Sequence, residues 1–301
     1  MRFPWVRPGV CKIEKPLPLE AGGAVFAGLV VTVMRYLVVG DIHANEPALE
    51  AVLSAAGRLG VDGCLFVGDL VGYGPDPVAC IERLRDWQRL GALWWVAGNH
   101  DLAVRTPHVP DGFIPEASVT LEWTRQALER APDAREFLRV APTLAHLDGV
   151  IWLTHDSVIA PGAGWYLSNS ALRVKELLYL QQQGGRIAFY GHTHWMQADV
   201  INNGGRPEAR PMRAHLGPGP DPAPLLLLPH ETALIGVGSV GFPKNEGRRA
   251  EFLILDTSEG AIWALEKYAV EYPRHHTRAR LHQALIPACA PQLVAQIAHW
   301  L

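Results

Sequence analysis

Cysteine is scarce in this 301-residue chain. Cys11, Cys64, Cys80 and Cys289 are scattered and form no C-x-x-C pair. That argues against a zinc knuckle and against a disulfide-stapled secreted scaffold, and it fits a reducing cytoplasm. Dense basic runs are missing too. With 27 Lys and Arg against 30 Asp and Glu, the formal net charge is -3, so the electrostatic footprint of a dedicated nucleic-acid binder is lacking. Near the N-terminus "AVFAGLVVTVM" is apolar but too short to span a membrane. Basic Arg2, Arg7, Lys12 and Lys15 precede it as in a signal peptide, yet it runs almost directly into "RYLVVGDIH" with no polar cleavage region. Residues 1–33 are therefore read as a poorly ordered N-terminal extension that adds little to the fold, with a natural start at Met34. No repeat of fixed period is visible. The chain is 49% hydrophobic, ample for a buried core and contrary to overall disorder.

What is present is an alternation of strand and helix patterns. "RYLVVGDIHANEPALEAVLSAAGRLG" reads as a buried strand, a turn at Gly40-Asp41, and a helix with Leu49, Val52, Leu53 and Ala56 on one face. "VDGCLFVGDLVGYGPDPVACIERLRDW" repeats the scheme, with Val78, Ile81 and Leu84 marking the helix. A third strand ends at Gly98-Asn99-His100-Asp101, and "EASVTLEWTRQALERAPDAREFLRVAP" is helical, closed by Pro142. "GVIWLTHDS" and "GRIAFYGHTH" supply two more strands, each ending in histidine. Residues 202–230 are so rich in Gly and Pro that they read as a long loop, except for a short strand at "LLLL". Later strands follow at "TALIGVGSVGFP", "RAEFLILDT" and "AIWALEKYAV", and the tail from Thr277 is helical. Such alternation indicates an α/β domain, whose sites lie at the carboxyl ends of its strands.

Those strand ends are "GDIH", "GDLVGYG", "GNHD", "THDS" and "GHTH". Carboxylate, amide and imidazole together suit manganese, iron or zinc, and the absence of cysteine argues against a structural zinc site. Asp41, His43, Asp69, Asn99, His155, His192 and His194 are too many for one ion, whereas two ions sharing one carboxylate would use them all. Glycines before Asp41, Asp69, Asn99 and His192 permit tight turns where side chains must converge. A sheet edge built this way could hold two such ions roughly 3.5–4 Å apart.

Asp-x-His, Gly-Asp, Gly-Asn-His-Asp, a lone His and Gly-His-x-His, in that order, resemble the calcineurin-like metallophosphoesterase family from about Met34 to the C-terminal tail. "GDLVGYGPDP" and "GSVG" resemble its bacterial YfcE-like or diadenosine-tetraphosphatase-like branch. The resemblance implies a four-layer α/β/β/α sandwich of two mixed β-sheets flanked by helices, formed by residues 34–301 as a single domain. It implies that Asp41, His43 and His194 bind one metal, that Asn99, His155 and His192 bind a second, and that Asp69 bridges them. His100 would be the general acid that protonates the leaving oxygen, with Asp101 orienting its ring. The expected cofactors are two divalent ions, manganese foremost, with iron, zinc, nickel or cobalt as alternatives. The expected activity is hydrolysis of a phosphodiester or phosphomonoester, a small phosphorylated substrate such as a nucleotide derivative, by a cytoplasmic enzyme without membrane or nucleic-acid partners.

Several residues have a second reading. Asp41 or Asp69 alone is equally a helix cap, and His155 is equally a satisfied buried histidine, because Asp156 stands where relatives commonly carry glycine. Tyr73 and Asp76 either touch substrate or build their loop. "GSVGFPKN" either brings backbone N–H groups to the site or turns the chain. Ala97 replaces a basic residue, and Gly236-Val237 replaces Asn-Pro, relative to the family pattern. A protein serine/threonine phosphatase is the alternative within the same chemistry, and these departures keep open a metal-bound regulatory protein without turnover.

Overall fold

The computed structural model describes residues 34–202, 205–216, 221–257, 262–285 and 291–300, so the N-terminal extension read above lies outside them. In chain order the elements are β1 (Arg35–Val39), α1 (Glu46–Leu59), β2 (Gly63–Phe66), α2 (Pro77–Leu90), β3 (Ala92–Trp95), α3 (Asn99–Ala103), α4 (Pro115–Glu129) and α5 (Pro132–Arg139). Then come β4 (Leu144–Leu147), β5 (Ile151–Thr154), α6 (Ser170–Gln182), β6 (Ile187–Tyr190), β7 (Met196–Asn202), β8 (Glu208–Arg210), β9 (Ala214–His215) and β10 (Leu225–Leu227). The chain closes with β11 (Glu231–Val237), β12 (Ala250–Asp256), β13 (Trp263–Val270), α7 (Arg274–Leu285) and α8 (Pro291–Trp300).

The strands form two mixed sheets. One runs β10-β13-β12-β1-β2-β3, with β9 also on β13; the other runs β4-β5-β6-β11-β7-β8. Period-two alternation stacks them into layers. In β1, Tyr36 and Val38 face the second sheet while Leu37 and Val39 face α1 and α2; in β6, Ile187 and Phe189 face the first sheet while Ala188 and Tyr190 face α6. Both faces of these strands are therefore apolar, as their near-continuous hydrophobic runs require. Burying one side chain the size of Phe189 contributes about 1.5–3 kcal/mol.

Local chemistry explains the element ends. Asn45 caps α1 by accepting from the Ala48 N–H at 3.3 Å, and Gly60 ends that helix in the left-handed conformation, φ 68°. The stretch read as one helix before Pro142 is two, because Pro132 opens α5 and forces Ala131 out of the helical region, φ -131° and ψ 71°. The segment read as a long loop carries β8, β9 and β10, which pair with β7 or β13. Because β1, β2 and β3 are mutually parallel, and β5 is parallel to β6, their carboxyl ends gather along one edge of the sandwich.

Candidate metal centre

Every candidate ligand follows one of those strands. Asp41 and His43 come after β1, Asp69 after β2, Asn99 after β3 at the start of α3, His155 after β5, and His192 and His194 after β6. The loops are laced together by backbone bonds: Asp41 N–H to Gly68 O at 2.9 Å, His43 N–H to Asp69 O at 3.0 Å, and Gly191 N–H to His155 O at 3.0 Å. Asp41, His43, Asp69, His192 and His194 all sit at positive φ, between 49° and 62°. For non-glycine residues that conformation is strained, and it is characteristic of sites where geometry is imposed for function.

Three groups of potential ligand atoms lie within 4.8 Å of one another: Asp41-His43-His194, Asp69-His155-His192, and His43-Asp69-His100. Asp69 Oδ2 stands between the first two, 3.8 Å from His43 Nε2 and 3.2 Å from His155 Nε2. Asp41 Oδ1 is 3.1 Å from His194 Nε2, and Asn99 Oδ1 is 3.1 Å from His155 Nε2. All seven side chains expected from the sequence are thus brought together, His155 among them, and His100 stands with them.

Residues 34–260, more than half of the chain, match the model of the calcineurin-like phosphoesterase superfamily domain. The chain belongs to that superfamily. A metallophosphoesterase from Sphaerobacter thermophilus is 28% identical, with a TM-score of 0.66 over 89% of this chain and all of the other. A hypothetical protein from Pyrococcus horikoshii is 18% identical, with a TM-score of 0.65 over 87% of this chain and 97% of its own, a likeness of fold. An uncharacterised protein from Methanocaldococcus jannaschii is 28% identical over 78% of this chain and 86% of its own.

Whether this chain's residues suit a metal can be judged from the imidazoles. His43, His155 and His194 each direct Nδ1 at a backbone carbonyl: Val71 O at 3.3 Å, Val67 O at 2.8 Å and Phe242 O at 2.9 Å. A carbonyl only accepts, so each Nδ1 carries the proton, and on a neutral ring each Nε2 lone pair points into the cluster. Two of those lone pairs, on His43 and His194, then face each other at 3.0 Å. That arrangement repels unless a positive charge lies between them. A proton on His43 is a poor candidate, because burial holds its imidazolium well below its ordinary range, more strongly than Asp69 supports it. Asp41 Oδ2 is buried with no hydrogen-bond partner. The donor set therefore fits a divalent cation at Asp41, His43 and His194.

The second group makes the same demand. Burial opposes charge on His155, but the Asp69 carboxylate outweighs it and pushes the group up to about 10. Burial and the charge on His155 lower His192 to about 4. Asp69 remains ionised despite its burial because His155 and His100 stabilise it. Positive charge is required beside Asp69, and a metal ion can supply it by displacing protons.

The role expected for Asp101 differs from its contacts. Its carboxylate does not meet the His100 ring; it accepts from the N–H groups of Leu70 at 2.9 Å, Val71 at 3.2 Å and Gly98 at 3.0 Å. Asp101 is the third residue of α3, and its bond to Gly98 is the return half of a capping box, a spacing visible in "GNHD". It ties the Asp69 loop to the Asn99 turn. His100 is instead framed by rings, Tyr73 at 4.8 Å, His43 at 4.9 Å and Phe113 at 5.3 Å, and its Nδ1 is buried without a partner. The turn after β11 serves the Asp41 loop: the Gly241 N–H and the Ser239 hydroxyl donate to Asp41 O at 3.0 and 2.8 Å.

Beside the cluster opens a cleft of about 620 Å³ lined by Asn99, Leu102, Phe113, Gly164 and His192. Among the described residues no helix is long and apolar enough to cross a membrane.

Proposed function

We propose that this phosphoesterase hydrolyses a small phosphodiester or phosphomonoester, using two divalent ions, manganese foremost. In this reading Asp41, His43 and His194 hold one ion, Asn99, His155 and His192 hold the other, and Asp69 serves both. Bound there, such ions supply Lewis acidity toward a phosphoryl group and toward water. The chain's own residues do the rest. Asp41 and Asp69, fixed by the loop ladder, set the charge of the site, and the cleft beside Asn99 gives a small substrate room. The Asn99 amide nitrogen donates to a phosphoryl oxygen in this reading, while its Oδ1 faces His155. His100, buried among rings, donates a proton to the departing oxygen. Asp101 positions the Asp69 loop.

The observation that carries this reading is the 3.0 Å approach of two imidazole lone pairs with both Nδ1 atoms committed to carbonyls. The test is hydrolysis of bis-p-nitrophenyl phosphate and p-nitrophenyl phosphate by metal-stripped protein refilled with manganese, beside Asp69→Asn and His100→Ala. Activity restored by metal and lost in both variants supports an enzyme, and the diester-to-monoester ratio assigns its substrate class. Two ions bound per chain with no turnover in any metal would refute it in favour of a metal-bound binding protein.

A further inference from the structure

The cleft at Asn99 and His192 adjoins one flank of the cluster. Against the other flank, at His194, lies a separate cavity of about 400 Å³ lined by Trp195, Phe242, Lys244, Arg248 and Trp300. That volume is within the range of small-ligand pockets. Its wall is shared with the metal-binding residues. The Phe242 ring is 5.1 Å from the His194 ring, and the Phe242 carbonyl accepts from His194 Nδ1 at 2.9 Å. Lys244 Nζ donates at 2.9 Å to the carbonyl of Thr193, the residue between His192 and His194.

Three features of this cavity are not explained by packing. Trp195 follows a buried ligand directly, yet it is 54% exposed and lines the cavity with its indole. Tyr166, 45% exposed, stands 4.7 Å from the His192 ring and accepts from Lys244 Nζ at 3.1 Å, so a cation and two exposed aromatic faces border the site together. Arg248 donates to the carbonyls of His299 and Trp300 at the end of α8, which seats the Trp300 ring 5.6 Å from that of Phe242. Aromatic faces with a fixed cation suit a planar ring that carries a phosphate, since stacking and charge act on adjoining parts of one ligand.

We propose that this cavity is a subsite for the base of a nucleotide-type phosphodiester, with Trp195 as the stacking face and Lys244 beside the ester phosphate. The proposal rests on the phosphoesterase reading above and gives it a substrate class: a diester whose retained arm is a nucleoside and whose leaving arm occupies the cleft at Asn99.

The test pairs two substrates that share a leaving group, the p-nitrophenyl ester of thymidine 5′-phosphate and methyl p-nitrophenyl phosphate, on the manganese-loaded full chain. The nucleoside ester should have the higher kcat/KM. Trp195→Ala should lower that value about tenfold or more, the usual cost of one lost base–aromatic stack, while leaving the methyl ester unchanged. Trp195→Phe should restore most of it. Independently of turnover, thymidine should quench tryptophan fluorescence saturably where deoxyribose does not, and Trp195→Ala should weaken that binding to the same degree. Equal kcat/KM for the two esters, or an equal loss on both in Trp195→Ala, would overturn the subsite and leave the phosphoesterase reading intact. If neither ester is cleaved with any metal, the enzyme reading fails, and the thymidine titration alone decides the pocket: saturable, Trp195-dependent quenching upholds it and its absence overturns it.

Discussion

Replacing Gly98 with alanine tests how closely the two central loops must approach. Gly98 has φ -89° and ψ 177°, a conformation any residue adopts, so the substitution adds no backbone strain and acts through volume alone. A Cβ there would lie 2.1 Å from Asp69 Oδ1 and 2.4 Å from the Asp69 backbone nitrogen. The second contact cannot be relieved by turning a side chain. Either the Asp69 loop or the Asn99 turn has to move, and two charge-assisted bonds cross that gap: Leu70 N–H to Asp101 Oδ1 at 2.9 Å and His100 N–H to Asp69 Oδ1 at 2.9 Å. Overpacking costs about 1–3 kcal/mol and one such hydrogen bond contributes about 1.5–3 kcal/mol, so Gly98→Ala should lose about 3–5 kcal/mol. Urea denaturation of the metal-stripped protein measures this directly, and metal content after dialysis against manganese reports the displacement of Asp69. A variant within about 0.5 kcal/mol of the parent that takes up metal normally would refute the claim that the loops are in contact at this point.

Three other expectations concern charge. His100→Ala should lower kcat by about a hundred- to ten-thousand-fold with metal content unchanged, and a parallel loss of metal would show that His100 acts as a ligand. Asp101→Asn turns an amide N–H against at least one of three backbone donors and should cost about 2–3 kcal/mol in urea. Full stability with only kcat reduced would favour ring orientation instead. Asp76 is paired with Arg280 at 2.6 Å, yet burial prevails and raises its carboxyl from the usual 3.8 to about 6. Between those values the folded chain keeps a proton that the unfolded chain has lost, so this group's contribution to stability declines as pH rises from about 4 to about 6, by about 3 kcal/mol. Stability curves of the parent and Asp76→Asn across that window should diverge by that amount, and parallel curves would exclude it.

The sequence carried the site further than it carried the fold around it. Strand ends are legible because a buried strand is a short apolar run and its last polar residue is conspicuous, so "GDIH", "GNHD" and "GHTH" mark the cluster unaided. Short pairing strands are not legible in that way. β9 has two residues and β10 three, and each exists only because β13, far along the chain, offers an edge. The antiparallel union of β1 with β12, which centres the first sheet, likewise leaves no local trace. Asp101 is a related case. Adjacency to His100 suggested a side-chain pair, whereas the carboxylate of a third helical residue points back to the N–H groups that the helix start leaves unsatisfied. Trp195 and Tyr166 carried no motif, and only their exposure beside His194 and His192 distinguishes them from core aromatics.

Strain and rigidity in this site have a common origin. Five candidate ligands at positive φ would each relax if their loops were free, since such conformations cost on the order of 1 kcal/mol apiece. They are held because the loops continue the hydrogen bonding of the sheet beyond its last residues: β1 leans on β2 through Asp41, His43 and Ala44, and the turn after β11 donates back to Gly40 and Asp41. A parallel sheet edge provides that continuity at no additional cost in chain entropy, because the strands already lie about 4.8 Å apart with their donors aligned. Asp41, His43, Asp69, His192 and His194 reach the buried space from left-handed residues on three of the loops, and Asn99 and His155 join them from the other two without that conformation. Left-handed backbone therefore serves five of the seven clustered positions, and the cross-loop ladder is what makes that backbone tolerable.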